Sequence, residues 1–231
     1  DRLARQTPAV KTNFVLFGLT HWLIMLSIPA VAWIMARWVP PKAGRLAFGW
    51  FLLLNELGYY AFKLKKGWFM FPAGLPLQLC DLILWCTVIA ALALKQMPFE
   101  FAFFAGLLGT GMAVLTPDLW EPFPSYTTVY FFLAHGGIVA TVLYLWWSKQ
   151  MRPAPGCIKR VMILLNAYAL FLLAFNGLFK TNYMYLCRKP DNASLLDALG
   201  PWPVYILAGE AVALAGFTLL SLPFRKSAPP T

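Results

Sequence analysis

A few polar side chains stand inside stretches that are otherwise apolar. The ionisable ones are His21, Glu56, Asp81, His135 and Glu210, and beside them lie Asn55, Asn166, Asn176 and the thiols Cys80 and Cys86. A thiol next to an imidazole forms a nucleophile and base pair suited to acyl transfer. Imidazoles with carboxylates can instead bind a catalytic metal through three protein ligands and one open position. Cys80 is the more promising thiol, because Asp81 follows it and Pro76 precedes it by four residues, which disturbs the first turn of a helix. Cys86 has only Asp81 nearby and reads as a small packing residue. His135 sits in Ala134-His135-Gly136-Gly137, whose glycines admit the close approach of a helix or a ligand alike. His21, Glu56 and Glu210 fit equally well as hydrogen-bonded or ionic pairs that fix helix positions.

The elements that must position these groups follow from composition. Of 231 residues, 60% are apolar, 16% aromatic and only 12% charged. That balance excludes a water-soluble globular enzyme and, with so much aromatic surface, a disordered chain. Spans need about 20 mostly apolar residues, and reading between the charge clusters gives seven: 14–36, 46–64, 75–94, 99–116, 125–148, 158–179 and 203–222. Runs such as Leu82 to Leu94 are apolar at consecutive positions, which excludes the alternation of a barrel strand. Lys95 to Pro98 leaves almost no loop between the third and fourth spans, so a tight hairpin is expected there. The expectation is an all-α, polytopic bundle, one integral membrane domain over 1–231, multi-pass in the cell membrane. The first residue is Asp1 and not Met, so a preceding segment is expected to have been lost.

The net charge of +10 comes from short clusters between apolar runs, which points to anionic lipid head groups and away from nucleic acid. Four cysteines without CxxC spacing indicate neither a disulfide framework nor a zinc knuckle. No internal repeat supports a transporter. Charge barely chooses the orientation; the N-terminus is placed outside and the C-terminus inside. With odd spans starting at the outer face, the buried polar residues all fall in the outer halves of their spans. That coincidence predicts one polar pocket reached from the outer side. The segment from Thr181 to Trp202, rich in Asn, Tyr, Pro and Trp, is expected to form a structured loop seated at the interface.

Leu75-Pro76-Leu77-Gln78-Leu79-Cys80 resembles the LPLHLC motif of the YwaF-like integral membrane family, which includes the transmembrane protein 164 group. Four further pieces match in order: Phe104 to Gly109 with Leu115-Thr116-Pro117-Asp118-Leu119, Phe131 to Gly136, Thr181 to Leu186 with Lys189-Pro190, and Leu199 to Tyr205. The resemblance covers about His21 to Pro223. It implies seven helices and, through the transmembrane protein 164 branch, a phospholipid acyltransferase working through a cysteine and a histidine, related to hydrolases of fatty-acid esters. By motif position these are Cys80 and His135. Where the family has a histidine, this chain has Gln78, which hydrogen-bonds but cannot take a proton at neutral pH.

Acyl transfer also requires an oxyanion donor, for which Gln78, Asn176 and Asn182 are candidates, and Asp81 or Glu210 could orient His135. The expected pocket therefore holds Cys80 and His135 as catalytic residues, with His21, Glu56, Gln78, Asp81, Asn176, Asn182 and Glu210 around them, phospholipids as partners, and neither cofactor nor metal. Two other classes stay open. One is a metal-dependent membrane hydrolase using His21, His135, Glu56, Asp81 and Glu210. The other is a non-catalytic carrier, or an accessory subunit associated with a larger membrane complex.

Overall fold

The computed structural model describes residues 14–119, 121–190 and 195–224. Seven long helices run α1 Leu19–Trp38, α2 Pro41–Lys65, α3 Leu79–Ala93, α4 Gln96–Leu115, α5 Tyr126–Trp147, α6 Cys157–Phe179 and α7 Val204–Ser221, with no strand among the described residues. Five of them, α1, α4, α5, α6 and α7, are long and apolar enough to cross a membrane; α3 is apolar but shorter. The protein is an all-helical membrane protein.

Helices α4 and α5 form the centre, and α1, α6 and α7 carry most of their apolar side chains outward. The core is aromatic: Phe99, Phe101, Phe103 and Phe104 of α4 are fully buried with Ile83 of α3 and Ile138, Tyr144 and Leu145 of α5. The middle of α4, Ala102–Thr110, is wound as a π-helix. Wider turns of this kind put backbone carbonyls out of register, and Thr110 Oγ1 donates to the Gly106 carbonyl at 2.6 Å within it.

The hairpin expected between the third and fourth spans is present: α3 ends on Leu94 in the left-handed region (φ 52°), and α4 begins two residues later. The third span itself is shorter than the 75–94 read from hydropathy. The chain around Pro72, Gly74 and Pro76 stays out of helix, and α3 starts only at Leu79, where Asp81 Oδ2 accepts the Gln78 backbone N–H at 2.8 Å. Irregular backbone at such depth is tolerated where it lines a cavity, and here it does.

The glycines after His135 serve helix packing. A Cβ on Gly136 would stand 2.9 Å from Ile28 of α1, and one on Gly137 would stand 2.8 Å from Leu52 of α2.

Candidate functional site

A cavity of about 700 Å³ opens at the end of the bundle that holds the α2–α3, α4–α5 and α6–α7 connections. Its floor is the N-terminus of α3 with Gln78, Cys80 and Asp81; one wall is α5 with Tyr130, Phe131 and His135; its cover is Tyr183–Tyr185. Cys80 is the second residue of α3, where backbone N–H groups lack helical acceptors and the helix dipole favours an anion. Burial from bulk water and this polar terminus are combined at one sulfur.

His135 Nδ1 lies 2.8 Å from the Phe131 carbonyl, one turn earlier in α5. A carbonyl oxygen only accepts, so Nδ1 carries the proton and Nε2 carries the lone pair. Among the described residues Nε2 has no protein partner, and the imidazole is half-buried and faces the cavity. The Phe131 ring, 4.2 Å away between centroids, holds the imidazole from one side. A neutral imidazole with its basic nitrogen toward a thiol-bearing cavity is the form a general base requires. The resting cavity has no hydrogen bond between Cys80 and His135 among the described residues.

Gln78 is set in a corresponding way. Its Oε1 accepts the Met184 backbone N–H at 3.1 Å, which leaves its side-chain NH2 as the free donor at the cavity edge. The carboxylates do not orient His135: Asp81 caps α3, and Glu210 accepts from Asn166 Nδ2 at 3.0 Å between α6 and α7, away from the cavity. The orienting group is the Phe131 carbonyl.

Of the nine residues expected in the pocket, Cys80, His135, Gln78 and Asp81 line it. His21 is fully buried and consumed by α1 and α4: its Nδ1 accepts the Phe17 N–H and its Nε2 donates to the Val114 carbonyl at 2.8 Å. Asn176 is buried beneath the cover, accepting from Tyr183 N and Thr181 Oγ1 and donating to the Tyr183 carbonyl. Asn182 ties its own loop, accepting from Cys187 N and donating to the Arg188 carbonyl. Neither amide is available as an oxyanion donor. Glu56 stands behind the wall, 1% exposed, accepting the Tyr130 hydroxyl at 2.5 Å. These four and Glu210 are absent from the lining and each is engaged in a contact of its own, Glu56 through Oε2 alone, its buried Oε1 having no hydrogen-bond partner among the described residues. The ligand set of the metal reading is dispersed in the same way: among the described residues no three His, Cys, Asp or Glu gather as a metal site would require.

The structure adds Lys63, Asp118, Tyr130 and the Tyr183–Tyr185 turn to the cavity. Lys63 Nζ donates to the Gly74 carbonyl at 3.0 Å and lies over the Phe69 ring. The α5 residues were findable from His135 outward, since 127, 131, 134, 135 and 138 recur at helical spacing on one face. The cover is pinned to the α2–α3 segment, with the Tyr183 hydroxyl donating to the Pro72 carbonyl at 2.7 Å and accepting the Leu75 N–H at 3.1 Å. Trp202 Nε1 donates to the Leu186 carbonyl, and the Tyr205 hydroxyl donates to that of Tyr185. The expected loop from Thr181 to Trp202 is thus structured wherever it is described; residues 191–194 lie outside the described residues.

The model of the TMEM164 family matches residues 11–221. The chain belongs to that family. The match spans the seven helices and the connections that form the cavity. No curated protein and no solved structure matches the chain.

Proposed function

We propose that this TMEM164-family chain, kin to the YwaF-like membrane proteins, is a phospholipid acyltransferase or acyl-ester hydrolase of the cell membrane, with Cys80 as nucleophile and His135 as base. The observation that carries the reading is the opening of Cys80 and the lone-pair nitrogen of His135 onto one cavity walled by apolar and aromatic side chains. The thiol proton passes to Nε2 as sulfur attacks the ester carbonyl. The tetrahedral oxyanion takes donors from the free N–H groups at the start of α3 and from the Gln78 amide. Collapse breaks the ester C–O bond, the imidazolium returns its proton to the leaving lipid oxygen, and an acyl thioester remains on Cys80. The hydroxyl of a lysolipid, or water, then attacks that thioester, with His135 taking its proton and giving it back to the thiolate.

Pairing of sulfur and imidazole is completed by bound substrate, as catalytic hydrogen bonds often tighten only in the substrate complex. The cover Tyr183–Tyr185 restricts water, which favours transfer over hydrolysis. Intact-protein mass spectrometry after incubation with a short-chain phospholipid tests the proposal. An acyl adduct on Cys80 that hydroxylamine removes is expected; full turnover by Cys80→Ala would refute Cys80 as the nucleophile, and neither adduct nor turnover in the unaltered chain would favour the accessory-subunit reading.

A further inference from the structure

A second cavity, of about 1140 Å³, lies at the opposite end of the bundle, between the start of α4, the end of α5, the start of α6 and the end of α7. It shares no lining residue with the thiol cavity. Its walls are apolar and aromatic, with Trp146, Met151, Ile158 and Phe224; the Trp146 and Phe224 rings pack 5.4 Å apart. Its rim carries Lys149 and Arg152, both exposed and both without an acidic partner among the described residues. The nearby carboxylate, Glu100, is already spent: it is fully buried, it binds Arg160 at 2.7 Å and it accepts the Ala154 N–H at 2.9 Å. Among the described residues, this end of the bundle has eight Lys and Arg, and Glu100 is its one acid.

We infer that this cavity binds the phosphate of an anionic glycerophospholipid, with Lys149 and Arg152 on the head group and the upper acyl chains against Trp146, Ile158 and Phe224. Two unpaired cations on one rim are complementary to a phosphate, and a guanidinium can hold two of its oxygens at once. The apolar wall selects a lipid over a soluble phosphate ester, and the volume, somewhat above the usual range for small-molecule pockets, has room for more than a bare phosphate. A tryptophan-lined site at helix ends also matches the depth at which head groups lie. The site gives the bundle a lipid contact that is independent of the chemistry at the other end.

Native mass spectrometry of the full chain in detergent, titrated with phosphatidylglycerol, phosphatidylcholine or inorganic phosphate, tests this. Phosphatidylglycerol is expected to form a retained adduct that phosphatidylcholine does not match. Lys149→Gln/Arg152→Gln should weaken it about thirtyfold and each single variant about fivefold, at the usual contribution of one basic side chain near anionic lipid. Lys159→Gln, exposed on the same end but outside the cavity, should leave it unchanged, and the charge-conserving Lys149→Arg/Arg152→Lys should retain it. Equal binding of phosphatidylcholine, or an equal loss in Lys159→Gln, would overturn the site in favour of general surface charge. Displacement of the lipid by inorganic phosphate at similar concentration would overturn the lipid assignment and leave a soluble phosphate ester. If the double variant does not fold, the single variants decide between the same outcomes.

Discussion

His135→Asn separates the two nitrogens of the imidazole. The asparagine amide nitrogen occupies roughly the place of Nδ1, so the 2.8 Å bond to the Phe131 carbonyl can persist while the basic Nε2 is removed. A neutral hydrogen bond of this kind is worth about 0.5–1.5 kcal/mol, and keeping it should hold the melting temperature within about 4 °C of the unaltered protein. A positioned general base contributes roughly 10²–10⁴-fold, equivalent to about 3–5 kcal/mol of barrier. Turnover should therefore fall by at least about a hundredfold in a protein that remains folded. The assay is transfer of a fluorescent acyl chain from a phospholipid to a lysophospholipid in nanodiscs, with thermal unfolding measured on the same samples. Turnover by His135→Asn above a tenth of the original would refute the role of Nε2.

Other perturbations probe the same frame. Cys80→Ala should abolish acyl transfer while Cys86→Ala, at a buried thiol outside the cavity, leaves it nearly intact; turnover of both variants checks the pair, and Cys80→Ala/His135→Asn should be little worse than Cys80→Ala alone. A lipid-tailed alkylating reagent should mark Cys80, whereas a water-soluble one marks exposed Cys187, read by peptide mass spectrometry. Tyr183→Phe removes one bond to Pro72 and one to Leu75, costing about 1–3 kcal/mol; the loosened cover should raise the ratio of free fatty acid to transferred acyl chain, and an unchanged ratio would count against water exclusion. Gly44→Ala would bring a Cβ within 2.2 Å of the Tyr144 hydroxyl, which is fixed to the Pro41 carbonyl. Overpacking of this sort costs roughly 1–3 kcal/mol, so thermal unfolding should occur several degrees earlier, while transfer per folded molecule stays unchanged.

The helices were legible in hydropathy: the seven segments read from charge clusters overlap the seven helices with ends within five residues, although only five of the seven are long and apolar enough to cross a membrane, and the start of the third shows most plainly what hydropathy misses. There hydropathy continued through Leu75 and Leu77, but Pro72, Gly74 and Pro76 deny the backbone its helix, and the capping Asp81 decides where α3 begins. That Cys80 and His135 line one cavity was available from motif position, not from spacing, because the two lie on different helices. What misled was treating every intramembrane polar residue as a pocket residue. His21, Asn176 and Glu210 carry the same sequence signal as His135, yet each is absorbed by a distant backbone or side-chain partner that no local pattern reveals. Lys63 was not singled out, and Tyr183 was read only as part of an interface loop, for the opposite reason. They belong to segments that read as interface, and only the fold of the α2–α3 and α6–α7 connections brings them to the cavity that Cys80 lines.

Gln78, which stands where the motif it resembles has a histidine, acquires a physical meaning from these contacts. Gln78 sits at the start of α3, two residues before the thiol, and its side-chain oxygen holds the backbone of Met184 in the cover. One residue therefore joins the floor of the cavity to its cover, and its side-chain NH2 has no protein acceptor among the described residues. An amide does this without a charge at any ordinary pH. A histidine at the same place would exchange acceptor for donor on protonation and break the contact to the Met184 N–H in acid. With glutamine there, closure of the lid does not titrate, and in the proposed reaction proton transfer is confined to the Cys80 and His135 pair.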